Sequence, residues 1–255
     1  MKTNQPGLYI PELEKDACGT GLIADLNGRK SHQLVADALT MLENMEHRGA
    51  CGFEANTGDG AGILVQAPHD FFVQECTQLG FSLPEYGRYG VGMVFFPIEP
   101  WLREQCRVIF DDYIDELGFE LLGYRPVPTN NTGLGASAIA VEPWMEQVFV
   151  QLKEPTDPET LERRLYVLRK FVTHQIQISF PAWRDHFYIP SFSYKTLVYK
   201  GQLTTFQLRS YFSDLQNPAF TSAIALVHSR FSTNTTPKWK LAQPLRYIAH
   251  NGEIN

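Results

Sequence analysis

Residues 18–26 read CGTGLIADL, and the fold and the chemistry both turn on how this stretch is taken. Residues 19–26 form a short apolar strand candidate, and Asn27-Gly28 follows as a pair that tolerates the left-handed backbone of a tight turn. Gly19 and Gly21 strip side chains from the backbone beside Cys18, so a substrate can approach its thiol closely. The same cysteine also reads as a small buried hydrophobe in front of a strand. None of the seven histidines stands in a recognisable Cys-His signature, and Asp16 is the only acidic residue close by in sequence. A cysteine needs no histidine when its own α-amine is free, because that amine titrates at about 7.7–8.0 and serves as proton acceptor. Removal of residues 1–17 would create such an amine. That segment is polar, with two prolines and three acidic residues, which fits a short exposed propeptide and equally an ordinary flexible terminus.

Outward from this strand, spacing predicts a helix over 32–46 with Leu34, Val35, Ala38, Leu39, Leu42 and Met45 on one face, closed by Gly49. ILVQA (63–67) and GVGMVFFPI (90–98) read as strands. Helical spacing returns over 101–117 through Trp101, Leu102, Ile109, Phe110, Tyr113, Ile114 and Leu117. FELLGYRPVP and ASAIAVEP read as strands around the Asn-Asn-Thr-Gly turn at 130–133. Asp157-Pro158 then opens a helix whose apolar face is Leu161, Leu165, Leu168, Val172 and Ile176. Strand-like segments in FYIPSFSYKTLVYKG, a short helix around TTFQLRSYF and the strand AIALVHSRFS complete the run. Strands occur in clusters and not in strict alternation with helices, which favours stacked sheets with helices outside over a doubly wound parallel sheet.

Three further features carry chemistry. Arg230 closes an apolar strand, where a guanidinium can clamp a carboxylate through two parallel hydrogen bonds; a surface ion pair is the plainer reading. Asn251-Gly252 follows a second strand, where an amide NH₂ beside an exposed backbone N–H could hold an oxyanion, or simply form a turn. The glycines of EHRGACGFEANTGDGAGI (46–63) match neither GxxxxGK[ST] nor GxGxxG, and the run leads into a strand where those motifs would open a helix. Nucleotide binding is therefore not expected there. Cys51, inside this run, is the rival nucleophile, with Arg48 as its one local cation.

Composition bounds the rest. The 255 residues are 44% apolar, enough to bury a large core, and 22 basic against 28 acidic residues give −6, no footprint for a phosphate backbone. No apolar run is long enough for a signal peptide or a membrane span, so an intracellular, cytoplasmic protein is expected. The four cysteines show neither CxxC spacing nor a dense disulfide framework.

The order of motifs is more informative than any one of them. Cys18-Gly-Thr-Gly, Glu46-His-Arg-Gly, Thr57-Gly-Asp-Gly-Ala-Gly, His228-Ser-Arg-Phe-Ser-Thr-Asn and His250-Asn-Gly-Glu-Ile-Asn together resemble the class II glutamine amidotransferase domain. The segment from 57 to 250 looks specifically like that of the glutamate synthases. The resemblance implies an α+β fold, a four-layer αββα N-terminal nucleophile hydrolase sandwich with two stacked antiparallel sheets between helical layers. It implies a propeptide over 1–17 and an amidotransferase domain over 18–255 that is incomplete at its C-terminus.

By the same resemblance, Cys18 is nucleophile and, through its α-amine, base. Asn251 and the Gly252 N–H form the oxyanion hole, Arg230 binds the α-carboxylate of L-glutamine, Thr233 and Asn234 belong to the substrate loop, and Arg48 lies near the nucleophile. The implied activity is hydrolysis of L-glutamine through a Cys18 γ-glutamyl thioester, with the ammonia used on 2-oxoglutarate. No cofactor is implied for this segment. FMN and an iron–sulfur cluster are implied for downstream synthase domains, with a small reductase subunit or ferredoxin as electron-donating partner. A non-catalytic structural domain, or an N-terminal nucleophile amidohydrolase for another amide, remains the alternative.

Overall fold

The structure, a computed structural model, describes residues 19–48, 54–229 and 236–247. Ser31 takes an extended backbone and its hydroxyl accepts from the Leu34 amide, satisfying one free N–H of the turn that follows. Helix α1 (His32–Asn44) starts there and buries Leu34, Val35, Ala38, Leu39 and Leu42, with Met45 buried just beyond its end. Spacing alone put those six side chains on one face. The longest helix, α5 (Pro158–Ser179), is opened by Asp157, whose carboxylate accepts from Thr160 N at 2.9 Å, and buries the five residues expected of it.

Among the described residues, eight strands form two antiparallel sheets. The first has the order β1-β8-β2-β7, from β1 (Thr20–Ala24), β8 (Ile224–Ser229), β2 (Ala61–Gln66) and β7 (Thr196–Gly201). The second has the order β4-β5-β3-β6, from β4 (Phe119–Pro126), β5 (Trp144–Leu152), β3 (Tyr89–Phe96) and β6 (Tyr188–Ser193). Only Tyr194 and Lys195 separate β6 from β7, so the chain passes from one sheet to the other at that corner.

Strand β3 is buried along its whole length because both of its faces are covered. Tyr89, Val91, Met93 and Phe95 share a core with Ile63, Val65, Leu197, Tyr199, Ala225 and Val227 of the first sheet and with the apolar face of α1. Val94 and Phe96 point the other way, into a second core with α5 and with α3 (Pro100–Glu116), which supplies Leu102, Cys106, Phe110 and Ile114. Alternation along a strand sends successive side chains to opposite faces, and here each face meets its own layer. The α+β sandwich expected from the sequence is thus the observed fold.

Three segments differ from the sequence reading. ASAIAVEP, expected to be a strand, instead holds the one-turn helix α4 (Ala136–Ile139) and a turn, because a short apolar run lacks a period that distinguishes strand from helix. The strand next to β4 is β5, whose polar Glu146 and Gln147 are buried and break the apolar pattern. Glu146 is matched by Arg107 and by the Trp144 indole N–H at 2.6 Å. Helix α2 (His69–Gln78), not anticipated, inserts Phe71, Phe72 and Cys76 into the first core, with Phe72 edge-on to Phe149 at 5.1 Å.

A buried ion cluster ties the layers together. Arg125 of β4 donates to both oxygens of Asp214 (2.7 and 2.8 Å), to Glu75 of α2 (2.7 Å) and to the Gln147 side chain of β5 (2.9 Å). Tyr199 of β7 donates to Asp214 at 2.6 Å and accepts from Gln147 at 2.7 Å. Every charge in this group is paired and hydrogen-bonded, the condition under which burial of a charge is tolerated.

Leu165 is fully buried where α5 crosses β3, and its methyl groups occupy the space that a Cβ at position 90 would need. Leu165→Ala should lower the free energy of unfolding by about 2–5 kcal/mol. A urea titration reads this as a lower midpoint at unchanged m.

Candidate active site

One end of the first sheet carries the residues that adjoin Cys18 and Arg230 in sequence. In the β1–β8 ladder Thr20 faces His228, and the Ser229 amide donates to the Gly19 carbonyl at 2.7 Å. Next across the sheet His228 faces Gly62 and Ser229 faces Ala61, and beyond them Gly62 faces Lys200 and Ala61 faces Gly201. The start of β1, the end of β8, the start of β2 and the end of β7 therefore share one edge. Cys18 is bonded to Gly19, Arg230 is bonded to Ser229, and the glycine-rich loop enters β2 at Ala61. Cys18, Cys51, Arg230, Thr233, Asn234, Asn251 and Gly252 themselves lie outside the described residues. Of Arg48 the backbone is described, as the last residue of the 3₁₀ turn Glu46–Arg48 that follows α1.

A cavity of about 330 Å³ opens at this edge, lined by Glu46, Asn56, Gly60, Thr204, Gln207 and Ser229 among others. Its walls are held from within. Gln207, in the short helix α6 (Gln207–Tyr211), donates through Nε2 to the carbonyls of Asn56 (2.8 Å) and Gly133 (2.9 Å), while its Oε1 accepts from Thr204 N (2.8 Å). The Thr57 hydroxyl donates to Glu54 at 2.8 Å, and Ser137 N donates to the same carboxylate at 3.1 Å. Those two hydrogen bonds, the Ser137 amide first, hold the Glu54 carboxyl below the usual carboxylate range.

Each glycine of Thr57-Gly-Asp-Gly-Ala-Gly answers a local demand. A Cβ on Gly58 would overlap the backbone of Leu203, Gly60 sits at φ +144°, and a Cβ on Gly62 would overlap the Gln243 carbonyl oxygen. The loop runs into β2 and not into a helix N-terminus, as expected for a run that is not a phosphate loop.

Two of the four cysteines are described, and both are poor nucleophiles. Burial pushes the thiols of Cys76 and Cys106 up to about 12. They also lie in separate cores, Cys76 between the sheets and Cys106 under α3, so they cannot share an iron–sulfur cluster. Among the described residues no three His, Cys, Asp or Glu side chains are grouped to hold a metal ion. No helix of the structure is long and apolar enough to cross a membrane among those residues.

Sequence reasoning did not single out Gln207, Asn56 or Lys200. Gln207 lies in a segment read only as a short helix, and its importance comes from contacts with residues far away in sequence.

With this geometry in view, comparison with known proteins defines the class: the model of the family "Glutamine amidotransferases class-II" matches residues 18–255, and the chain belongs to that family. It is similar to particular members. It is 45% identical over 254 residues to the glutamate synthase [NADH] of Schizosaccharomyces pombe, covering 97% of this chain and 12% of that protein. It is 47% identical over 250 residues to the glutamate synthase [NADPH] large chain of Bacillus subtilis, covering 98% and 16%. To the ferredoxin-dependent glutamate synthase 2 of Synechocystis sp. it is 42% identical over 255 residues, covering 99% and 16%. The chain thus spans between 12% and 16% of the length of these relatives.

Native protein should leave Cys76 and Cys106 unmodified by a thiol-exchange reagent at pH 8, and both should react once the chain is unfolded. Peptide mapping before and after denaturation checks this, since only the thiolate attacks.

Proposed function

We propose that this domain hydrolyses the side-chain amide of L-glutamine at Cys18 and supplies the ammonia for glutamate synthesis from 2-oxoglutarate. The observation that carries this reading is the contact between Gly19 and Ser229, each one peptide bond from a residue with a proposed role, Cys18 and Arg230. The family match begins at Cys18, which supports a mature domain that starts there after removal of residues 1–17. Its cavity lies within the range of about 300–1,000 Å³ common for small-ligand sites.

In the proposed reaction the free α-amine of Cys18 accepts the thiol proton, and the thiolate attacks the amide carbon. Collapse of the tetrahedral intermediate breaks the C–N bond, the amine returns its proton to the leaving nitrogen, and ammonia departs. Water then attacks the γ-glutamyl thioester, and glutamate leaves as the thiol is restored. Asn251 and the Gly252 N–H hold the oxyanion in both halves. Arg230 clamps the α-carboxylate, with Thr233 and Asn234 in the substrate loop and Arg48 beside the nucleophile. Flavin and iron–sulfur chemistry belongs, in this reading, to synthase domains beyond these residues, with a pyridine-nucleotide reductase subunit or ferredoxin as electron donor, and the enzyme acts in the cytoplasm.

Asn251→Ala should lower kcat about 10²–10³-fold, the usual effect of one lost oxyanion donor, with KM for glutamine nearly unchanged. Steady-state glutaminase assays test this. Intact mass of the active protein should show a chain that begins at Cys18, and a diazoketone analogue of glutamine should label that residue. Label on Cys51, or full activity with Met1 to Ala17 still attached, would overturn the assignment.

A further inference from the structure

Arg169 of α5 is half-buried, and its guanidinium lies over the Tyr166 ring, 5.1 Å from the ring centre. Among the described residues it has no hydrogen-bond or ion-pair partner. A guanidinium carries five N–H donors, and one that has given up part of its hydration with nothing in return is costly.

A second guanidinium raises that cost. Helix α5 packs over β6, and Arg246, also half-buried, is fastened to β6 by its Nη1, which donates to the carbonyls of Ile189 (2.7 Å) and Pro190 (3.2 Å). Its Nε and Nη2 have no partner among the described residues. Burial first, and then the Arg246 charge, lower the pKa of Arg169 below the ordinary arginine value; Tyr166, Tyr188 and Tyr247 oppose the shift, and no carboxylate does. Lys200 belongs to the same group. It is buried, 4.9 Å over the Tyr188 ring, and its Nζ donates to the carbonyls of Lys240 (2.9 Å) and Ala242 (2.6 Å). Burial and then the Arg246 charge draw its pKa down to about 7. The chain has 28 acidic residues, yet among the described ones none pairs with these three cations.

Two planar forks with free N–H groups match an anion that has several oxygens and more than one charge. A carboxylate brings one charge and fills one fork, whereas a phosphate group carries about −1.5 to −2 at neutral pH and can serve both. We propose that Arg169 and Arg246 form a phosphate-binding site between α5 and the segment that follows Leu241, with Tyr166 stacked on the Arg169 guanidinium to hold its fork. Neither arginine has a role in the proposed hydrolysis, so the site stands or falls independently of that reading.

The test melts the intact protein near neutral pH in sodium phosphate, glycerol 3-phosphate, sodium acetate and sodium chloride at one ionic strength. A ligand of the folded state raises Tm with its concentration, so phosphate should raise Tm above the chloride value and acetate should not. A response to inorganic phosphate alone identifies the free ion as ligand, and an equal response to glycerol 3-phosphate identifies a phosphate carried on a larger molecule. By calorimetric titration, Arg169→Gln should weaken phosphate binding about 10- to 10²-fold. Arg169→Lys, which keeps the charge and loses the fork, should fall between it and wild type. Melting without phosphate shows that each variant folds, and a purely structural arginine would shift Tm equally with and without the ligand. Equal Tm in phosphate, acetate and chloride, or phosphate affinity unchanged in either variant, would overturn the site.

Discussion

The pairing of β1 with β8 is the constraint on which the remaining arrangement depends. Its register is not free to slip. Gly21 and Val227 face each other on the side where Met41 of α1 fills the space a Gly21 side chain would need, and Ile23 faces Ala225 one step further along. A one-residue shift would turn Ala225 and Val227 out of the core and put Leu226 in their place. Because burial fixes this register, it also fixes which residues end each strand. Gly19 and Ser229 become neighbours as a consequence of apolar packing several residues away.

The glycine-rich loop solves a related problem. Leu203, Gln243 and the β2 backbone all approach one another at the same edge of the sheet, and no side chain fits between them. Gln207 then supplies the donors that this crowded, irregular backbone would otherwise lack, serving Asn56 and Gly133 from one amide. A loop of three close glycines would be loose in isolation. Here it is a packed wall of the cavity, pinned on both sides by hydrogen bonds from segments distant in sequence.

These features explain what the sequence alone could and could not disclose. Helices α1, α3 and α5 were legible because their apolar faces repeat at helical spacing, and Asp157-Pro158 marked the start of α5, whereas α2 and α4 were not. The two-sheet plan was legible from clustered strands and from the order of motifs. Strand β5 was hidden by Glu146 and Gln147, buried polar residues whose partners, Arg107 and Arg125, lie on other elements. Lys200 was hidden for a similar reason, since a lysine within a strand ordinarily marks a solvent-facing position. For the candidate site, the residue types at 18, 230 and 251 stood out in the sequence. The supporting positions 56, 200 and 207 did not, because their contacts exist only once four strand ends share an edge.

The Arg125 cluster has a consequence for motion. A guanidinium engaged at once by Asp214, Glu75 and Gln147, with Tyr199 closing the ring, joins both sheets and α2 at fixed angles. Sliding one sheet over the other would break several of these bonds together inside a water-excluded space, so the sandwich resists shear. Motion at the candidate site is therefore left to the loops at the rim, with the layered body acting as a stationary anvil beneath them.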